Sequence, residues 1–506
     1  MLAIYNPRAK RYFALCVLFI VSESIFGQAK YKMTTEIPVS ITTPDKVETS
    51  IGSLKFEDGF PDPATVTKVY DNLDFQRGTQ AYLAGLPLVS IEGARRAIAS
   101  FGPVNQTVLI TEQLMDSRSL FLTANTTTPY TIISLDLKEG PLVLEIPSAV
   151  LGPIDNALFK WDTDIGFTGP DHGKGGKYLL LPPGYKGDIP EGYFVVKCDT
   201  YGHLMFFRTF LKDGSPVPGV ENVKKNLKIY LLSRAANPPA MNFVNISGKA
   251  FNTIGPSDYS AFEFINSMIQ TEPEDVMPPD MLGLYASIGI QKGRTFSPDA
   301  RMKKILVDAA AVGDATARTL AFKSRIKEAF FYPNSGWCTT FIGGSYKFEE
   351  NGVRLLDGQS MFFFYATGIT PAMSMKLAPG EGSAYAACFV DSKGNALNGK
   401  NTYQIHLPPN IPAKDFWSFT AYDNESRSML QTDQQFPAVG SENKGLIKNP
   451  DGSVDVYFGP KAPAGKENNW VQTVPGKGWN TLLRLYGPLD PWFNKTWQPG
   501  EIVLIK

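Results

Sequence analysis

The stretch from Asn401 to Asn424 constrains the fold of this chain more than any other. Within Tyr403–Leu407, apolar residues alternate with polar ones, which is the period of a strand with one buried face. Pro408–Pro409 then ends the strand, because proline has no N–H to donate to a ladder. A second apolar run, Phe416–Tyr422, carries four aromatic side chains. Strands with this aromatic content need another sheet to cover them, so the stretch predicts one wall of a β-sandwich core.

Short apolar runs separated by turn residues recur in two parts of the chain, 101–218 and 331–506. This pattern is typical of all-β sandwiches, and Met361–Thr367 is one of the runs that we assign as a strand. The segment 219–330 instead spaces its apolar residues as helices do. One helix there is predicted to begin with Ser297 as N-cap and proline at the next position.

The segment 30–100 predicts an arm followed by a helix that begins near Asp62 and is interrupted at Gly85–Pro87. With 506 residues, the chain is too long for one hydrophobic core. The expected fold class is therefore mainly β with a helical segment: two tandem β-sandwich domains joined by a helical middle region.

The first 29 residues are predicted to be a signal peptide. A basic cluster at Arg8–Arg11 precedes an apolar run of about ten residues, Tyr12–Val21. Gly27 and Ala29 are small residues that suit a cleavage site after Ala29. The run is shorter than the roughly 20 residues of a membrane-spanning helix, and no later run is long enough. We expect an exported protein, periplasmic or secreted.

Charge, cysteine and histidine contents exclude several kinds of site. Lysine plus arginine equals aspartate plus glutamate at 49 each, so no basic surface predicts nucleic-acid binding. The mature chain holds three cysteines, Cys198, Cys338 and Cys388; at least one thiol must be free, and buried thiols that behave as small hydrophobic groups are expected. Three histidines lie far apart in the sequence, which disfavours a three-histidine metal site.

Several segments resemble a pair of known families. The N-terminal ones are similar to the domain of unknown function DUF1254, and they are Tyr82–Leu88, Thr123–Leu137, Gly140–Pro147 and Gly176–Tyr185. The C-terminal ones are similar to DUF1214, and they are Ala386–Pro409, Phe416–Asp423, Asp451–Ser453, Asn469–Trp470 and Arg484–Tyr486. The resemblance implies tandem jelly-roll-like sandwiches, similar in fold to peptide-N-glycanase F. Relatives usually read Asn-Asn-Asp-Thr-hydrophobic-Tyr where this chain has Asn125–Tyr130, so a threonine replaces the family's acidic residue.

The first candidate site combines Asp162, Asp164 and His172 beside the aromatic Trp161. Two carboxylates and an imidazole suit acid–base hydrolysis of a glycan or an amide, with one carboxylate kept neutral by its neighbour. The same aspartates could instead hold a calcium ion through oxygen ligands. A solvated turn rich in aspartate is the third interpretation.

The second candidate site consists of Trp417, Tyr422, Asp423, Arg427 and Arg484. A carboxylate at a strand end beside guanidinium groups could bind a sugar or a carboxylate ligand. The alternative is an Asp–Arg pair that ties the strand end to a loop.

A third candidate, Asn125, Thr128 and Tyr130, is rich in hydroxyl and amide groups at a strand entry. It could bind a polar ligand or only form hydrogen bonds at the strand edge.

No nucleophile elbow, zinc-protease motif or dinucleotide fingerprint occurs. Because the acidic residue of the N-terminal motif is absent, we expect a binder of a polar ligand such as a glycan, or of a protein partner in the cell envelope. The alternative is a carboxylate-dependent hydrolase acting on a carbohydrate or glycoconjugate. No cofactor other than calcium is suggested, and the oligomeric state stays open.

Overall fold

The computed structural model describes residues 33–506. The chain divides into two units, one ending at Val69 and the other comprising Tyr70–Lys506. The predicted signal peptide lies outside the described residues. In the first unit, an antiparallel hairpin pairs Lys46–Thr49 with Gly52–Glu57, within the arm expected from the sequence.

The described residues contain twenty-six strands and eight helices. The strands of the N-terminal half are β1 Lys46–Thr49, β2 Gly52–Glu57, β3 Phe60–Pro61, β4 Thr107–Ile110, β5 Ser119–Leu120, β6 Tyr130–Asp136, β7 Leu142–Ile146, β8 Leu151–Asn156, β9 Trp161–Gly166, β10 Gly176–Leu181, β11 Phe194–Lys197, β12 Gly202–Arg208, β13 Lys228–Leu231, β14 Asn242–Asn245 and β15 Phe251–Asn252. The remaining strands are β16 Trp337–Cys338, β17 Glu349–Glu350, β18 Val353–Arg354, β19 Ser383–Cys388, β20 Tyr403–Leu407, β21 Ala413–Asp423, β22 Ala438–Gly440, β23 Val454–Gly459, β24 Trp470–Gln472, β25 Trp479–Pro488 and β26 Val503–Leu504. The helices are α1 Pro63–Ala99, α2 Val217–Asn226, α3 Ser260–Thr271, α4 Pro279–Ser287, α5 Ala300–Phe322, α6 Leu356–Tyr365, α7 Pro371–Ser374 and α8 Asp490–Phe493.

Four large sheets pack as two pairs in the second unit. A six-stranded sheet (β14-β4-β6-β12-β8-β9) and a four-stranded sheet (β11-β10-β7-β13) share one apolar core. A five-stranded sheet (β16-β19-β25-β21-β22) and a second four-stranded sheet (β24-β23-β20-β26) share another. The expectation of many strands in several sheets is therefore confirmed, together with a substantial helical content.

The two largest sheets are buried on both faces. On β12, Met205 and Phe207 point into the sandwich core, whereas Leu204 and Phe206 point into a central core. Leu482 of β25 belongs to the same central core, whose remaining volume is filled mainly by the helices. Burial on both faces explains why these strands read as continuous apolar runs instead of alternating ones.

The helix α1 runs without a break from Pro63 to Ala99, so the predicted interruption at Gly85–Pro87 is wrong. A Cβ atom at Gly85 would lie 2.2 Å from the Ile265 side chain of α3. The glycine therefore allows two helices to approach closely, and tertiary packing offsets the hydrogen bond that Pro87 removes.

Two other helix predictions also need correction. Met361–Thr367 was expected to be a strand, but α6 covers most of it. All residues of α6 from Ser360 to Tyr365 are buried, and a helix that is apolar on every side carries no 3.6-residue period. The N-cap of α5 is Asp299, which accepts a hydrogen bond from Met302 N at 2.7 Å, and not Ser297. No helix within residues 33–506 is long and apolar enough to cross a membrane.

Candidate functional site

Arg208 and Arg484 lie on the central faces of the two largest sheets. In the strand register, Arg208 of β12 stands opposite Tyr130 of β6. Arg484 of β25 stands opposite Tyr385 of β19. Each sheet thus contributes one arginine and one tyrosine to the layer between the sheets.

These four side chains line a cavity that we call the central pocket. Its polar and charged lining is Thr123, Asn125, Tyr130, Arg208, Thr340, Thr367, Tyr385 and Arg484. Its apolar walls include Phe121, Phe206 and Phe362. The pocket holds about 480 Å³ of space when the solvent at its mouth is included, and about 30 Å³ of it accommodates the centre of a water molecule.

Arg484 ties the second large sheet to the segment that precedes β6. Its Nη1 donates to Thr420 Oγ1 at 3.2 Å, and its Nη2 donates to Tyr422 Oη at 2.6 Å and to the Ala124 carbonyl at 3.3 Å. Tyr422 Oη in turn donates to the Ala124 carbonyl. The arginine is only 2% exposed.

Neither arginine of the central pocket forms an ion pair with a carboxylate of residues 33–506. Arg208 is 7% exposed, and its guanidinium lies 5.8 Å from the centre of the Tyr486 ring. Burial raises the pKa of the Tyr486 phenol to about 12 and also raises the pKa of Tyr130. The pocket therefore combines two permanent positive charges with hydroxyl groups that stay protonated at neutral pH.

The predicted Asn125 site borders this pocket. Asn125 Oδ1 accepts hydrogen bonds from the backbone N–H groups and hydroxyls of Thr127 and Thr128, which folds the segment into a tight turn. Asn125 N donates to Tyr130 Oη at 3.1 Å. Asn125 and Tyr130 line the pocket, whereas Thr128 serves the turn.

The other predicted ligand-binding residues are held elsewhere. Trp417 packs inside the second sandwich core. Asp423 accepts from Lys477, so the basic partner at this strand end is a lysine and the alternative of an Asp–Arg pair is wrong. Arg427 donates to the Phe364 carbonyl at 2.9 Å, and its guanidinium lies 4.4 Å from the centre of the Phe364 ring.

The aspartates on β9 belong to different hydrogen-bond groups. The register between β8 and β9 shifts between Ile154 and Asp155, so Asp162 has no residue opposite it. Such an irregularity re-aims a side chain. Asp162 Oδ2 lies 2.9 Å from His203 Nε2. Asp164 Oδ1 instead accepts from Trp161 Nε1 at 2.8 Å and from Thr370 Oγ1 at 2.7 Å.

A third aspartate, Asp155, is fully buried nearby. Its Oδ2 accepts from Ile369 N at 3.0 Å, but its Oδ1 meets no donor among the described residues. Burial, together with the charges of Asp164 and Asp162, raises the pKa of Asp155 well above its ordinary value. Burial also raises the pKa of Asp164.

His172 is exposed in a left-handed turn with φ 49°, and no hydrogen bond joins it to Asp162 or Asp164 in the described part of the chain. His203 takes the place beside Asp162 that was predicted for His172. The catalytic roles of Asp162, Asp164 and His172 and the calcium ion stay predictions.

Sequence reasoning missed Arg208, Tyr385 and His203. For Arg208, a signal was present: it is the single charged residue that ends the apolar run Leu204–Phe207. His203 and Asp162 are brought together only by the pairing of β12, β8 and β9, which the sequence does not specify.

Comparisons with known proteins agree with the resemblance found in the sequence. Residues 104–231 match the family described as "Protein of unknown function (DUF1254)", and residues 382–490 match "Protein of unknown function (DUF1214)". No curated protein matches the chain.

The solved structures similar to the chain include the following two. The crystal structure of the VPA0106 protein from Vibrio parahaemolyticus is 19% identical, with a TM-score of 0.51, over 86% of this chain and 100% of that one. A putative uncharacterized protein from Burkholderia cenocepacia is 13% identical, with a TM-score of 0.40, over 88% of this chain and 90% of that one. The first likeness concerns the fold alone. The chain thus contains a segment that matches the DUF1254 family, followed by a segment that matches the DUF1214 family.

Proposed function

We propose that the protein binds a small organic anion, a carboxylate, in the central pocket. The observation that carries this proposal is the pair of buried arginines, Arg208 and Arg484, without a carboxylate partner among residues 33–506. A buried charge without a counter-ion is costly by several kcal/mol. An anionic ligand supplies the missing charge.

The chemistry of the pocket lining supports a carboxylate. A guanidinium presents N–H donors in a planar fork that matches the two oxygens of a carboxylate. Tyr130 and Tyr385, one from each sheet, add hydroxyl groups to the pocket lining. Apolar walls from Phe206 and Phe362 suit the carbon skeleton of the ligand.

The size of the pocket limits which ligands fit into it. About 30 Å³ of the pocket admits the centre of a water molecule, which is room for a few water-sized groups. A branched glycan is too large for this space, whereas a short mono- or dicarboxylate enters it with its charged end. The pocket size therefore restricts the polar ligand expected from the sequence to small molecules. A protein partner remains a separate prediction.

The finer expectations from the sequence form part of the same proposal. The sheet pairs would be jelly-roll-like sandwiches, and the protein would act after export, in the periplasm or outside the cell. The hydrolase alternative has one supporting observation, the raised pKa of Asp164, which a general acid needs. Against the hydrolase alternative, both oxygens of the Asp164 carboxylate already accept hydrogen bonds from Trp161 or Thr370.

Calorimetric titration of the purified protein with acetate, succinate, phosphate and glucose tests the proposal. We expect acetate or succinate to bind and glucose not to bind. Arg208→Gln should weaken the binding at least about tenfold, since it removes one charge-assisted contact. Arg325→Gln, which changes an arginine with an 84% exposed side chain, is the matched control and should bind as the parent does. Absence of anion binding, or equal binding by Arg208→Gln, would refute the proposal.

A further inference from the structure

Asp162, His203 and Cys198 form a cluster at one end of the first sandwich, which we call the Asp-His-Cys cluster. Their ligand atoms, a carboxylate oxygen, an imidazole nitrogen and Sγ, all lie within 4.8 Å of one another. His203 and Cys198 are buried, and the Asp162 side chain is 12% exposed. The cluster is separate from the central pocket and does not depend on the proposed function.

Three different strands or strand ends supply the cluster. Asp162 is the residue without an opposite partner on β9, and His203 stands opposite Asn156 in the pairing of β12 with β8. Cys198 directly follows β11 of the facing sheet, where its N–H donates to the Leu181 carbonyl at 3.0 Å. A ligand held by all three groups would join the two sheets of the sandwich.

The two ring nitrogens of His203 each face a hydrogen-bond acceptor, which is one acceptor more than a neutral imidazole can satisfy. Nδ1 lies 3.3 Å from the Tyr201 carbonyl, and Nε2 lies 2.9 Å from Asp162 Oδ2. Both oxygens are acceptors, but a neutral imidazole has only one N–H to donate. A cation between Nε2 and Oδ2 makes the second contact favourable while Nδ1–H donates to the carbonyl.

A further side chain orients the carboxylate. Asn156 Nδ2 donates to Asp162 Oδ1 at 2.9 Å, while Asn156 Oδ1 accepts from Leu158 N and Lys160 N. This fixes Asp162 Oδ1 and leaves Oδ2 directed at His203. Fixed carboxylates and imidazoles whose second nitrogen meets a carbonyl are typical surroundings of metal ligands.

We infer that the Asp-His-Cys cluster is a binding site for a zinc ion. Carboxylate, imidazole and thiolate are all zinc ligands, at about 2.0–2.3 Å. Tetrahedral binding needs the Asp162–His203 separation to open by a few tenths of an ångström, and it needs Cys198 Sγ, now within 4.8 Å of the other two ligand atoms, to lie about 3.5 Å from them. Binding releases the Cys198 thiol proton to solvent. Three protein ligands leave the fourth position of a tetrahedral zinc ion to water.

The first test uses the full chain, treated with a chelator and then titrated with Zn²⁺ or with Co²⁺ as a coloured substitute. We expect about one ion per chain and a thiolate-to-cobalt charge-transfer band in the near ultraviolet. This measurement needs no variant, so it decides the matter even where substitutions disturb folding. If the cobalt protein shows no thiolate band, the inference is refuted, and His203 and Asp162 form a buried imidazolium–carboxylate pair without metal.

Variants then locate the ion. Cys198→Ser and Asp162→Asn should each weaken zinc binding at least about tenfold. Cys388→Ser is the matched control, because Cys388 is also a free, buried cysteine but lies outside the cluster. Zinc binding that Cys388→Ser abolishes, or that Cys198→Ser leaves unchanged, would contradict this site.

Discussion

The central pocket and the Asp-His-Cys cluster differ in the sign of the charge that they bury. The pocket holds Arg208 and Arg484 with no carboxylate partner among the described residues. The cluster and its neighbour Asp155 hold carboxylates, with His203 as the nearby basic group. The two proposals complete the first site with an anion and the second with a cation. They thus rest on opposite kinds of buried charge within one unit of the fold.

Replacing Arg484 with alanine should produce the largest change in stability. The substitution removes the donors to Thr420, Tyr422 and the Ala124 carbonyl and leaves a cavity. Relief of the unpaired charge offsets part of this loss, so we expect the free energy of unfolding to fall by about 3 kcal/mol. Urea unfolding measures this change. Arg325→Ala, at an exposed position, should change it by less than about 0.5 kcal/mol, and equal losses in both variants would contradict the central role of Arg484.

Replacing Asp155 with asparagine should stabilise the protein at neutral pH. The folded-state pKa of Asp155 is raised above its ordinary 3.8, so the folded state binds more protons than the unfolded state between the two values. Stability from this group is therefore lost as the pH rises through that window. We expect Asp155→Asn to gain about 1 kcal/mol at pH 7 and nothing below pH 3.8.

Urea unfolding as a function of pH measures this difference. Asp188→Asn, which changes an exposed aspartate, should leave the pH profile unchanged. A loss of stability at pH 7 in Asp155→Asn would show that the carboxylate is ionised and paired, which would contradict the raised pKa of Asp155.

The smallest effect is expected for His406→Gln. His406 lies 2.8 Å from Asp455, nearly the same separation as between His203 and Asp162, but its side chain is 50% exposed. An exposed ion pair contributes little, so the free energy of unfolding should change by less than about 0.5 kcal/mol. Thermal unfolding of His406→Gln and His203→Gln side by side checks this, and the buried substitution should cost more. Equal effects would mean that burial does not distinguish the two histidine–aspartate pairs.

The sequence predicted the parts of the fold that depend on local patterns. Tyr403–Leu407 is a strand with the expected bounds, and His406 points outward as its alternation indicated. The three cysteines of the described chain are all free and buried, where the sequence required at least one free thiol and favoured buried ones. The strand predicted at Met361–Thr367 failed because complete burial removes the periodicity that separates helix from strand.

The candidate site was predicted only in part, because its residues are far apart along the chain. Tyr130, Asn125 and Arg484 line the central pocket, as members of two sites that the sequence treated separately. The pairing of Asp162 with His203 depends on a one-residue irregularity in β9, and no local pattern reveals where a strand adds an unpaired residue. His172 was chosen instead because it is closer in sequence.

Burial of the large sheets on both faces has a consequence for synthesis of the chain. The six-stranded sheet is complete once β14 ends at Asn245, but α6 and Leu482, which belong to the central core, come more than 100 residues later. At a synthesis rate of about 5–20 residues per second, the central face of the six-stranded sheet stays incompletely covered for on the order of ten seconds or more. The nascent chain therefore exposes an apolar sheet face during this time. For the same reason, a fragment that ends after the DUF1254 region should aggregate.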